Sequence, residues 1–80
     1  MQVQIFTVKR QHRKSITPFF YQDERYTRNI FDAGYYELDL ELELVEEFNP
    51  SMLPKSYELG AIASCNDLLY LRTDFGWKKL

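Results

Sequence analysis

Residues 37–44 read Glu-Leu-Asp-Leu-Glu-Leu-Glu-Leu, a strict alternation of acid and leucine. Wound as a helix, the four leucines would scatter around the cylinder. As a strand, all four face one way and all four acids the other. Glu and Asp are poor strand formers, but the period outweighs propensity, so a strand is predicted with its phase broken at Val45. Residues 2–9, Gln-Val-Gln-Ile-Phe-Thr-Val-Lys, predict another strand. Val3, Ile5 and Thr7 share one face; Gln2, Gln4, Phe6 and Val8 share the other. Residues 16–21, Ile-Thr-Pro-Phe-Phe-Tyr, suit a third, with Pro18 at an edge, a bulge or the strand's first residues because it has no N–H to donate. These two segments are expected to form a hairpin whose loop is the cationic stretch 9–15.

Residues 23–34 admit two readings. As a helix, Asp23 is the N-cap, Tyr26 and Ile30 stack at i and i+4, and Gly34 is the C′ residue. As a hairpin arm, Asp32-Ala33-Gly34 is a three-residue loop and Gly34 takes the left-handed position. Phe31 then faces Tyr35, which sets Arg25 against Glu41, Thr27 against Asp39 and Asn29 against Glu37. Ile30 meets Tyr36 and Tyr26 meets Leu40, while Arg28 falls against Leu38. This near match of charge favours the hairpin. Downstream, residues 49–54 read as a loop with room for one helical turn. Residues 57–63 read as a strand weakened by Gly60, 64–67 as a turn, 68–72 as a strand, 73–76 as a turn and 77–80 as a closing strand. The fold class expected is all-β, a small antiparallel barrel or sandwich of five to seven short strands. The alternative is α+β with one helix at about 23–33.

With 80 residues, the chain is expected to be a single domain spanning 1–80, small enough that its stability margin is thin. Hydrophobic residues make up 45% and charged ones 28%, with three Gly and three Pro, which argues against disorder and low complexity. Aromatic residues reach 16%, six Phe, six Tyr and one Trp. Most must serve as core in so short a chain, unless several Tyr form a binding platform. One Cys and one His exclude a disulfide framework and a Cys-rich zinc site. No cofactor and no metal site are expected. The chain has no apolar run near the roughly 20 residues of a membrane span and no signal-peptide pattern, so a cytoplasmic protein without membrane contact is expected.

The net charge of −2 hides a polarity. Residues 1–36 carry six cations against three acids, a net of +3, and residues 37–80 carry four against nine, a net of −5. Either the halves neutralise each other across strands or the surface is polarised to recognise charge.

Catalysis is not indicated. His12 lies among cations that disfavour a general base, and Cys65 has no His near it in sequence. The carboxylates are regularly spaced rather than convergent. Neither a phosphate-binding glycine loop nor a nucleophile elbow is present. Two binding surfaces stand out instead. On a strand, Glu37, Asp39, Glu41 and Glu43 would form a linear row of anions about 6.7 Å apart. With Tyr35 and Tyr36 beside it, that row suits a protein partner. A nucleic-acid-binding protein could accept it in place of phosphates, as an accessory or inhibitor protein from a phage or plasmid would require. A homodimer through edge pairing is another use of the same surface. The alternative is nucleic-acid binding, with Lys9, Arg10, Arg13 and Lys14 following a phosphate backbone and Phe19, Phe20 and Tyr21 stacking on bases.

The opening Met1-Gln2-Val3-Gln4-Ile5-Phe6-Thr7-Val8-Lys9-Arg10 resembles the first strand of the gyrase-poisoning plasmid toxins, small SH3-like β proteins. The resemblance implies a small β domain and covers these residues alone. The toxins act through a Trp-Gly-Ile ending. Here Gly76 precedes Trp77 and Lys78-Lys79-Leu80 close the sequence, so no site residue carries over.

Overall fold

The computed structural model describes residues 1–16, 23–44 and 47–80. Five strands form one antiparallel sheet: β1 (Gln2–Val8), β2 (Tyr36–Glu43), β3 (Ile62–Cys65), β4 (Leu68–Thr73) and β5 (Gly76–Lys79). Their order across the sheet is β2-β1-β3-β4-β5, so among the described residues β2 and β5 are edges and the sheet is not closed into a barrel. Among the described residues two short α-helices accompany it, α1 (Arg13–Ile16) and α2 (Glu24–Asp32). The small all-β class holds, with strands as the dominant element.

Both faces of the sheet are covered. Phe6 and Val8 of β1, Ile62 of β3 and Leu71 of β4 share one face with Ile16 of α1 and Ile30 of α2, the helix face. Val3, Ile5, Ala63 and Tyr70 share the other with Leu53, Phe48 and Tyr57 of the segment joining β2 to β3, the loop face. Sheets with both faces buried draw apolar side chains from both parities of a strand. This explains why β1 carries Val3 and Ile5 on one side and Phe6 and Val8 on the other.

The favoured hairpin over 23–43 is not formed; residues 24–32 are helical. Asp23 caps this helix, its Oδ1 accepting from the Arg25 amide at 2.7 Å. At the other end the Gly34 amide donates to Phe31 O at 3.2 Å, with Gly34 at φ +89°. A glycine adopts this conformation without the penalty a Cβ brings. As a helix the segment places Thr27 and Ile30 in the core, with Tyr26 and Phe31 packed beside them. As a strand it would have set Arg28 against a leucine. β2 pairs instead with β1, whose Val3 and Ile5 are fully buried.

The cationic stretch is not a hairpin loop either. Residues 10–12 form a 3-10 turn that runs directly into α1, and Ile16 at its end is buried. The strand expected at 16–21 otherwise lies outside the described residues, as does the phase break at Val45. Residues 54–61 are turns rather than a strand; β3 starts at Ile62 and runs through Cys65. The helical turn near residue 50 is present as a 3-10 turn, Pro50–Met52. Asn66 and Asp67, both at positive φ, link β3 to β4.

Candidate protein-binding surface

β2 pairs with β1 from Gln2↔Glu43 to Ile5↔Leu40, and then the register shifts. Phe6 pairs with Leu38, Thr7 with Glu37 and Val8 with Tyr36, leaving Asp39 without an opposite residue. Such a bulge reverses the facing of everything beyond it. Paired residues share a face, so Glu41 and Glu43 lie with Gln4 on the helix face, and Glu37 lies with Thr7 on the loop face. Asp39 turns to the loop face as well, where its Oδ2 accepts from the Tyr57 hydroxyl at 2.6 Å. The expected row of four carboxylates on one face is therefore two pairs on opposite faces. The bulge divides the leucines too: Leu40, Leu42 and Leu44 lie on the loop face, Leu38 on the helix face.

Position in the sheet sets exposure. β2 is an edge, so Leu38 is 48% exposed and Leu40 37%. Glu37, Asp39, Glu41 and Glu43 are all exposed. Gln4 Nε2 donates to Glu41 Oε1 at 2.9 Å, and the Met1 amine lies 3.2 Å from Glu43 Oε1. Tyr35 stays at the surface, its ring edge-on to His12 at 4.5 Å between centroids. Tyr36 does not belong to the surface: it is 7% exposed, and its hydroxyl donates to Gly60 O at 2.7 Å. Burial pushes its phenol above the ordinary value, with Tyr26 adding to the shift.

An open cleft of about 470 Å³ runs along the loop face of β2, lined by Thr7, Arg13, Asp39, Leu40, Tyr57 and Glu58 among others. Arg13 Nη2 pairs with Glu58 Oε1 at 3.2 Å across it. The sequence pattern gives no sign of Tyr57 or Glu58 here. The phase-blind alternation of 37–44 hides the bulge that brings Asp39 to them. Partial burial, followed by the hydrogen bond and charge of Asp39, raises the Tyr57 phenol to about 12.

Of the residues suited to nucleic acid, Lys9 is half-buried, and Arg10, Arg13 and Lys14 are exposed along the 3-10 turn and α1. Among the described residues no ion pair engages Lys9, Arg10 or Lys14. Phe19 and Tyr21, their expected stacking partners, lie outside the described residues. Cys65 and His12 have separate surroundings. Cys65 is buried, its thiol pushed up by that burial, and its Sγ donates to Met1 Sδ at 3.3 Å. Among the described residues no three His, Cys, Asp or Glu side chains converge to hold a metal ion. No helix there is long and apolar enough to cross a membrane.

No family model, curated protein or solved structure matches the chain at a significant level.

Proposed function

We propose that this chain is a non-catalytic protein-binding domain that meets its partner through edge strand β2 and the adjoining Tyr35. The observation that supports this reading is the exposure of Leu38 and Leu40 on an edge strand that is otherwise acidic. Exposed leucines supply apolar contact area, and Tyr adds area at small entropic cost. The carboxylates favour a cationic partner and speed its approach. Because the bulge splits the acids between faces, β2 offers a cationic partner two short pairs of carboxylates rather than one even row spaced like a nucleic-acid backbone.

The test uses fluorescence anisotropy with two labelled probes, a random-order Lys/Val peptide and random oligonucleotides, single- and double-stranded, at low and near-physiological salt. The peptide should bind, and Glu41→Lys with Glu43→Lys should abolish binding. Oligonucleotide binding that weakens steeply with salt, and that vanishes on alanine substitution of Arg10, Arg13 and Lys14, would overturn the proposal in favour of the nucleic-acid reading.

A further inference from the structure

We infer that the partner docks by strand addition: an extended segment, alternating Lys or Arg with apolar residues, joins the sheet along the outer edge of β2. The inference rests on the protein-binding reading above and names the partner's chemistry.

The hydrogen-bond phase of the ladder supplies the first argument. The Met1 amine donates to Leu44 O at 3.0 Å, and the Leu44 amide donates to Met1 O at 2.7 Å. In an antiparallel pair such doubly bonded partners alternate with partners that exchange no bond. The Gln2↔Glu43 and Gln4↔Glu41 pairs are therefore of the second kind. The amides and carbonyls of Glu41 and Glu43 point away from β1, out of the sheet, and β1 is the only strand paired with β2 among the described residues. Two outward donors and two outward acceptors, two residues apart, are the template an added strand requires.

Side-chain parity supplies the second. Between the bulge and the strand's end, Glu41 and Glu43 lie on the helix face, Leu40 and Leu42 on the loop face. An added strand places each side chain beside the one it opposes. The matching sequence is cation, apolar, cation, apolar. Beyond the bulge the faces exchange roles, so a continuous alternation fits only the half from Leu40 to Glu43.

Charge supplies the third, and it discriminates against a second copy. Two β2 strands related by a two-fold axis over this half must set outward-bonding residues against outward-bonding residues. Each such register centred within Glu41–Glu43 sets a glutamate of one chain, Glu41 or Glu43, against Glu41 or Glu43 of the other. Like charges directly opposite are destabilising. The edge rejects its own copy and accepts the opposite sign, a selectivity by repulsion as well as attraction.

The experiment compares two labelled octapeptides of equal composition, one alternating Lys and Val, the other with its four Lys and four Val in blocks. Anisotropy gives affinity, and hydrogen exchange of the ¹⁵N-labelled protein gives amide protection. The alternating peptide should bind roughly tenfold tighter, the effect of two or so additional net hydrogen bonds. It should slow exchange at the Glu41 and Glu43 amides. N-methylation of those peptide residues whose amides face β2 should remove the difference. Equal affinity of the two peptides, with both lost in the Glu41→Lys, Glu43→Lys variant, would overturn strand addition and leave the protein-binding surface standing. Binding of neither peptide would overturn both. Protection of the Glu41 and Glu43 amides without peptide, together with a dimer in sedimentation, would overturn the inference by giving the edge to a second copy.

Discussion

The Tyr57 hydroxyl donates to Asp39 Oδ2 at 2.6 Å, and Asp39 is the bulged residue of β2. One hydrogen bond therefore links the irregularity that turns the edge strand to the segment covering the loop face. Its chemistry gives the molecule an alkaline limit. Tyr57 ionises at about 12 in the folded chain, against about 10 when unfolded. Tyr36 is shifted in the same direction by burial. Above pH 10 the unfolded chain releases these protons first, so it binds fewer protons than the folded one and stability falls as pH rises. Below pH 10 the contribution is fully present. Urea unfolding at pH 8.5 and pH 11 should show the decline, and Tyr57→Phe should make it shallower. An equal decline in wild type and Tyr57→Phe would sink this assignment.

Tyr36 offers a second test, because its role is structural. Its hydroxyl reaches Gly60 O inside the core at 2.7 Å, and its ring meets Phe31 of α2 edge-on at 5.5 Å. Tyr36→Phe keeps the ring and leaves the carbonyl without its donor. The expected loss is about 1–2 kcal/mol, read as a lower denaturant midpoint at unchanged m-value. The substitution should leave peptide binding at β2 unaltered. A fall in affinity without a fall in stability would return Tyr36 to the contact surface.

How far this fold is legible in the sequence depends on which interactions decide each element. β1 follows from its β-branched run, and β4 and β5 from short stretches of leucine and aromatic residues between turn residues, all local signals. Residues 24–32 carry two coherent local patterns, and the decision between them is tertiary. The helix wins because β1 is the better partner for β2 and because Ile30 and Tyr26 are needed to cover the helix face. The acidic strand is legible as a strand but not as a surface. A period of two carries no mark of a bulge, and the register shift at Ile5 and Phe6 depends on how β1 serves two cores at once. Tyr35 and Tyr36 are neighbours of the same type, and only the pleat separates an exposed ring from a buried one.

The contrast between Phe75 and Ile62 tests where the stability resides. Phe75 sits fully exposed in the turn between β4 and β5, where its amide donates to Thr73 Oγ1 at 3.2 Å. Its ring gains nothing from burial, so Phe75→Ser should change stability by no more than about 0.5 kcal/mol. Ile62 has no exposure and stands between Phe6 and Leu71 in the sheet. Ile62→Ala should cost about 2–5 kcal/mol, a large share of what so small a domain has. Thermal melts of the two variants decide the matter. A large loss from Phe75→Ser would mean that the ring is covered in solution.

The β3–β4 turn gives a prediction of opposite sign. Asn66 and Asp67 hold φ of +49° and +64°, both in the left-handed region, the pattern of a type I′ hairpin turn. Asn and Asp tolerate this region better than other L-residues, yet a Cβ there still carries strain. Glycine at the second position removes it and produces Asn-Gly, the pair best suited to the turn. The unfolded chain gains freedom from the same change, which offsets part of the benefit. The expected net gain for Asp67→Gly is about 0.5 kcal/mol, with Tm rising by roughly 2–4 °C. Asp67→Val, a β-branched residue forced to positive φ, should lower Tm by more than that. If glycine destabilises and valine does not, the turn in solution is not the one described, and the register from Ile62↔Leu71 to Cys65↔Leu68 goes with it.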